Sequence, residues 1–266
     1  MQFARINDVM IHYQIIGAPA DKPTIVFANA LGTDFRIWRD VIVRLAGDFA
    51  IVLYDKRGHG LSDVGQTPYA IEDHAGDLAG LLDMLSVSNA YICGLSVGGL
   101  SAQSLYQRRP ELVRGLILCG TAPRIGTPEL WNDRIAAIKA GGIEALADGI
   151  MERWFTKEFR RPENTAYAGY RNMLIRQPAE GYVATCEALR DADYEAAATS
   201  IAVPTICVAG DQDGSTPPDV ILAMAKRIPD ARYELIRDAG HIACVEQPAL
   251  LTEIIKAFIA EVETGK

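Results

Sequence analysis

From Pro23 to Gly120, short apolar runs alternate with segments whose apolar residues recur every three or four positions. The runs are "PTIVFAN" at 23–29, "AIVLYD" at 50–55, "AYICG" at 90–94 and "VRGLILCG" at 113–120. Between them, "DFRIWRDVIVRLAG" carries Phe35, Trp38, Ile42 and Leu45 at helical spacing. "AIEDHAGDLAGLLDML" at 70–85 and the stretch from Ser96 through Arg109 read as helices too. Strands that are apolar on both faces and joined through helices call for a mostly parallel central sheet flanked by helices, an α/β fold. Ahead of them, "MQFARI" and "MIHYQII" flank Asn7-Asp8 and read as an opening hairpin.

The rhythm stops after residue 126. Residues 127–196 contain "ELWNDRIAAIKAGGIEALADGIMERWF" and "AEGYVATCEALRDADYEAAA", which read as helices with no strand between them. "VPTICVAG" at 203–210, "PPDVILAMAKRI", "ARYELI" and a last helix from Pro248 to Glu263 then restore the alternation. The expected organisation is a core of 1–126 and 197–266 divided by a helical cap at 127–196. Such an insertion belongs above the C-terminal ends of the strands, where α/β proteins bind ligands, and is expected to act as a lid.

"GLSVGG", residues 94–99, lies where a strand runs into a helix. In a G-x-S-x-G turn the serine sits on a strained bend, and side chains two positions away would collide, so glycine is favoured there. Ser96 is therefore the candidate nucleophile. A hydroxyl attacks only when a base takes its proton, and the chain has four histidines. His12 falls in the opening hairpin. His59, in "DKRGHGLSD", is expected to bond backbone in a tight loop, and His74 to face solvent from its helix. His241, in "DAGHIACVEQP", follows the last strand and opens on the same sheet edge as Ser96, which makes it the expected base. The base needs a carboxylate, placed in chain order between serine and histidine. "GDQD" at 210–213 offers Asp213, the preferred choice, and Asp211. Backbone N–H groups of Val97, at the helix start, and Leu31, in the loop after 23–29, are the expected oxyanion donors.

The formal net charge is −8, with no run of Lys or Arg, which disfavours nucleic acid and anionic membranes as partners. It permits a small anionic substrate. "MQFARINDVM" has no apolar signal-peptide core, and no apolar run approaches a membrane span. The five cysteines form no C-x-x-C, so neither a disulfide framework nor a zinc site is expected, and a reducing cytoplasm is the expected compartment. Composition says nothing of oligomeric state.

"GLSVGG", "DKRGHGLSD", "GDQD" and "AGH" together resemble the α/β-hydrolase superfamily in order and spacing, over nearly the whole chain. One departure is Asn29-Ala30, where many members have His-Gly; Leu31 still occupies the oxyanion position. More narrowly, "NALGTDFRIW", "ICGLSVGG", "LCGTAPRIGTPELWNDRI", "RWFT" and "EGYVATCEALRDAD" resemble the 3-oxoadipate enol-lactonases of aromatic catabolism. The resemblance implies hydrolysis of 3-oxoadipate enol-lactone to 3-oxoadipate through an acyl-serine, with no metal or organic cofactor. Such a substrate carries a carboxylate, and burying that charge requires a cation or several donors. Arg134, in the "ELWNDR" stretch, is the candidate, with Trp131 and Trp154 as candidate pocket walls. A general carboxylesterase, a carbon–carbon bond hydrolase on another ring-cleavage product, and a hydrolase-fold ligand receptor are the competing readings. Haloalkane dehalogenases and epoxide hydrolases are disfavoured, because they need Asp where this chain has Ser96.

Overall fold

A computed structural model describes residues 1–18 and 22–265. The opening hairpin forms from β1 (Gln2–Ile6) and β2 (Val9–Ile16), followed by β3 (Thr24–Ala28). The stretch after β3 begins as a single 3-10 turn at Phe35–Trp38, capped by the Asp34 carboxylate, before α1 (Arg39–Leu45). Then come β4 (Ala50–Tyr54), α2 (Ile71–Met84), β5 (Ala90–Leu95), α3 (Val97–Arg108) and β6 (Val113–Cys119). The helical insertion supplies α4 (Pro128–Gly141), α5 (Ala147–Trp154), α6 (Thr165–Ile175), α7 (Ala179–Asp191) and α8 (Glu195–Ala198). The chain closes with β7 (Thr205–Gly210), α9 (Pro218–Arg227), β8 (Arg232–Ile236), α10 (Ala243–Glu246) and α11 (Pro248–Thr264).

The eight strands form one sheet in the order β1-β2-β4-β3-β5-β6-β7-β8. All neighbours from β4 onward are parallel, and the hairpin adds the antiparallel edge. Alternation along each strand sorts side chains between two cores. Ile25, Phe27, Tyr91 and Cys93 pack beneath α1, α11 and the cap, whereas Val26, Ala28, Ala90 and Ile92 pack against α2, α3 and α9. Burial on both faces is why these strands are apolar without interruption. The chain leaves β3 toward β4 and returns to β5 on the other side, so a crevice opens between the loops after β3 and β5. That crevice is the topological switch point at which open α/β sheets bind ligands.

Contrary to the sequence expectation, His74 is buried, with 1% of its surface exposed. Ile71, His74, Ala75 and Leu78 fall at i, i+3, i+4 and i+7 and share the face of α2 that meets the core. The imidazole packs edge-on against Tyr69, 5.5 Å between ring centroids. Burial, aided by the charges of Lys56 and Arg57, pushes it down to about 3, so the ring is neutral. All five cysteines are buried and unpaired. Among the described residues no helix is long and apolar enough to cross a membrane, and no cluster of His, Cys, Asp and Glu could hold a metal ion.

Candidate active site

Backbone geometry at the end of β5 explains the glycines around Ser96. Ser96 has φ 58° and ψ −120°, a left-handed bend that turns the strand into α3 within one residue. A Cβ on Gly94 would lie 2.4 Å from the carbonyl oxygen of Gly98, and one on Gly98 would lie 2.3 Å from that of Ala28. A Cβ on Gly99 would strike Thr121 at 2.5 Å. The helix start is thus pressed against the ends of β3 and β6. Ser96 N–H donates to Cys119 O at 3.0 Å, and Thr121 Oγ1 donates to Ser96 O at 2.7 Å, which pins the bend.

Two turns beside this bend carry the imidazole and its carboxylate. His241 follows β8, and its Nδ1 donates to Asp213 Oδ2 at 2.8 Å, both side chains being nearly sealed from solvent. Asp213 follows β7. Its Oδ1 accepts from Ser215 N–H at 2.7 Å and Thr216 N–H at 2.9 Å, and its Oδ2 accepts from Thr216 Oγ1 at 2.9 Å. Desolvation alone would raise the carboxyl's pKa; the facing imidazole and these donors outweigh it and hold the group below its ordinary value. Asp211 is engaged elsewhere, accepting from Ala239 N–H at 3.2 Å. With Nδ1 committed to Asp213, the lone pair of His241 resides on Nε2, the nitrogen available to a hydroxyl.

Ser96 and His241 line one cavity of about 60 Å³, together with Leu31, Trp131, Arg134, Trp154, Tyr182, Arg153 and Ser215. Five of the residues singled out in the sequence therefore surround Ser96, and Asp213 stands one bond behind. Val97 N–H, the first of α3, and Leu31 N–H make no hydrogen bond within the chain among the described residues, so both are available to a ligand. Asn29 takes up the role of a brace: its amide donates to Tyr54 O and accepts from Trp38 Nε1, each at 2.8 Å.

The cap closes over these loops through glycines. A Cβ on Gly32, which has φ +76°, would meet Leu174 at 2.6 Å, and one on Gly181 would meet the Gly58 backbone at 2.4 Å. The Arg134 guanidinium lies over the Trp131 ring, 4.8 Å from its centroid, and Trp131 Nε1 donates to Ile125 O at 2.6 Å. Sequence reasoning missed Arg153 and Tyr182. Among the described residues neither Arg134 nor Arg153 is in an ion pair with a carboxylate. Burial and the neighbouring charge of Arg134 lower the pKa of Arg153, a mark of two cations crowded at one wall. The Tyr182 hydroxyl is buried beside Arg134; desolvation raises its pKa against the opposing pull of that guanidinium, so it remains a donor. "RWFT" and "EGYVATC" contained the signal: Arg153 and Tyr182 each sit in a cap helix, yet their spacing from Arg134 says nothing of their convergence.

A roomier cleft of about 480 Å³ lies elsewhere, lined by His12, Asp34, Phe35, Arg36 and Asp55 among others. It contains a buried imidazole–carboxylate pair, His12 Nδ1 to Asp55 Oδ2 at 2.8 Å, but the nearby Ser62 hydroxyl is spent on Asp55 O at 2.6 Å. Among the described residues, a serine bend, a carboxylate-paired imidazole and free backbone donors come together at Ser96, so chemistry rather than volume marks the candidate site. His59 is structural, as expected: Nε2 accepts from Gly32 N–H at 3.0 Å while Nδ1 faces Arg57 O at 3.3 Å, and burial keeps the ring neutral.

The sequence pattern of the alpha/beta hydrolase fold family matches residues 23–248. The chain is 33% identical over 253 residues to 3-oxoadipate enol-lactonase 2 of Acinetobacter baylyi, spanning 95% of this chain and 94% of that protein. Among solved structures, the enol-lactonase from Burkholderia xenovorans LB400 superposes with a TM-score of 0.94 at 36% identity, covering 98% of this chain and 100% of that one. A thermophilic esterase from Thermogutta terrifontis superposes with a TM-score of 0.91 at 26% identity, covering 98% of this chain and 99% of that one. A mixed eight-stranded sheet with a serine bend at its switch point, and likeness over nearly the full length, have one reading: the chain belongs to the α/β-hydrolase fold family, alongside the 3-oxoadipate enol-lactonases.

Proposed function

We propose that the protein hydrolyses 3-oxoadipate enol-lactone to 3-oxoadipate, with Ser96 as nucleophile, His241 as base and Asp213 as its orienting carboxylate. The carrying observation is the pairing of a serine on a strained bend with two arginines that, among the described residues, pair with no carboxylate, in the lining of one cavity. An ester hydrolase needs the first, and an anionic substrate is served by the second. The enol-lactonase names of the relatives supply the substrate itself.

His241 Nε2 takes the Ser96 proton as Oγ attacks the lactone carbonyl. The carbonyl oxygen becomes negative and accepts from Val97 N–H and Leu31 N–H, donors of a kind worth about 3 kcal/mol each in the transition state. Collapse of the tetrahedral centre breaks the ring C–O bond. The leaving group is an enolate, far more stable than an alkoxide, and it takes the proton from His241 and settles as a ketone. Water, deprotonated by His241, then attacks the acyl-serine, and the returning proton restores Ser96. Asp213 stabilises the imidazolium at both stages. Arg134 and Arg153 hold the substrate carboxylate, and Tyr182 OH donates to a substrate oxygen.

The helices of 127–196 serve as the lid. A cavity of about 60 Å³ is far smaller than the ~300 Å³ or more of typical ligand sites, which fits a lid that yields to admit substrate.

Freshly generated enol-lactone, assayed beside neutral aryl esters, tests the reading. The lactone should be the preferred substrate by kcat/KM, and Ser96→Ala should abolish both activities while remaining folded. Better turnover of neutral esters would favour a general carboxylesterase; no turnover of either would favour a ligand receptor.

A further inference from the structure

Behind the oxyanion loop lies a buried ammonium that the reaction as described does not use. Lys56 follows β4 and is 2% exposed. Its Nζ donates to Ala30 O at 2.5 Å and to Thr33 O at 3.2 Å. Ala30 O also accepts from Thr33 Oγ1 at 2.9 Å and Thr33 N–H at 3.3 Å. The carbonyl of Ala30 and the N–H of Leu31 are the two ends of one planar peptide unit. Positive charge at that oxygen draws electron density from the nitrogen and makes the N–H a stronger donor.

We propose that Lys56 is a positioning residue for catalysis, holding and polarising the Ala30–Leu31 peptide so that the Leu31 N–H stabilises the oxyanion more strongly. The inference rests on Leu31 as an oxyanion donor at Ser96. A cation is an expensive way to fix a loop, because an uncharged donor could bond the same carbonyls without the cost of burying charge. The carboxylates nearest to it are engaged elsewhere: Asp34 with Arg36 and Asp55 with His12. From the surrounding elements, Asp34, Asp55, His59 and His74 face the ammonium, and both imidazoles are neutral. Burial pulls Lys56 down to about 7 against the attraction of Asp55 and Asp34. The charge is therefore present below neutrality and lost above it, and with it the polarisation.

The test compares wild type with Lys56→Met and Lys56→Gln on a neutral aryl ester between pH 5.5 and 9.5, after a thermal melt shows the variants folded. In wild type, kcat should decline on the alkaline side of about 7. Both variants should lack that decline and lose about tenfold in kcat at pH 6.5 with KM within about twofold, the signature of an interaction made in the transition state. Affinity for a trifluoromethyl ketone, which forms a hemiketal oxyanion on Ser96, should fall by the same factor as kcat/KM. Equal ketone affinity and an unchanged pH profile in the variants would overturn the role of Lys56. Failure of the ketone to bond Ser96 in wild type would instead defeat the site reading. Should Lys56→Met fail to fold, Lys56→Gln, which keeps a neutral donor, decides alone; should both fail, a wild-type ketone affinity that does not weaken above pH 7 overturns the proposal.

Discussion

Asp213 Oδ2 lies 2.8 Å from His241 Nδ1, while Asp211, two residues earlier, bonds the backbone of Ala239 instead. Asp213→Asn should therefore lower kcat by about 10³–10⁴-fold, the scale seen when a triad carboxylate is lost. Asp211→Asn should leave kcat within a few-fold. Steady-state kinetics on an aryl ester separate the two.

The same carboxylate makes stability depend on acid. Its folded pKa is below the ordinary 3.8, so the ionised form is favoured by folding. That contribution is complete above the unfolded value and is lost as pH falls through the folded one. Denaturant unfolding of wild type and Asp213→Asn should show the wild type losing relative stability only below pH 4 or so. A gap that widened toward acid would contradict this.

Arg134 and Arg153 line the cavity, and among the described residues neither pairs with a carboxylate. Removing either should raise KM for the carboxylated lactone by about 10–100-fold, as expected for a charge-assisted bond worth 1.5–3 kcal/mol. KM for a neutral ester should hardly change. Equal effects on the two substrates would defeat the anchoring role.

A methyl group on Gly98 would sit 2.3 Å from the carbonyl oxygen of Ala28. Gly98→Ala should cost at least about 1–3 kcal/mol of stability by overpacking, and it should also cut kcat. The displaced strand end leads directly into the loop bearing Leu31. Chemical denaturation and kinetics on one preparation test both consequences.

Glu246 ties the cap to the turn that carries His241. It accepts from Gly240 N–H at 2.7 Å, and from Thr156 N–H at 3.0 Å and Thr156 Oγ1 at 2.7 Å. Glu246→Ala leaves these partly buried donors without an acceptor, at a cost of about 1–3 kcal/mol. Hydrogen exchange should rise at Thr156 and Gly240 together, since one side chain holds both.

The layering of this protein was legible from residue order, because strand and helix periodicities are local properties of neighbouring side chains. So in part was the serine bend, since a Cβ on Gly94 would collide with Gly98 and Gly99 a few residues on; Gly98 and Gly99 are required by Ala28 and Thr121, from other strand ends. The placement of Ser96, Asp213 and His241 in turns that follow β5, β7 and β8 was likewise legible, because each follows an apolar run. His74 was misjudged, although its place beside Ile71, Ala75 and Leu78 on one helical face carried the answer. What only the tertiary structure decided were the encounters between distant elements. Packing brought Arg153 and Tyr182 from separate cap helices to one wall and set Lys56 against the Ala30 carbonyl. Such meetings depend on how whole helices and loops stack, and the pattern along the chain records which residues are buried, not which ones touch.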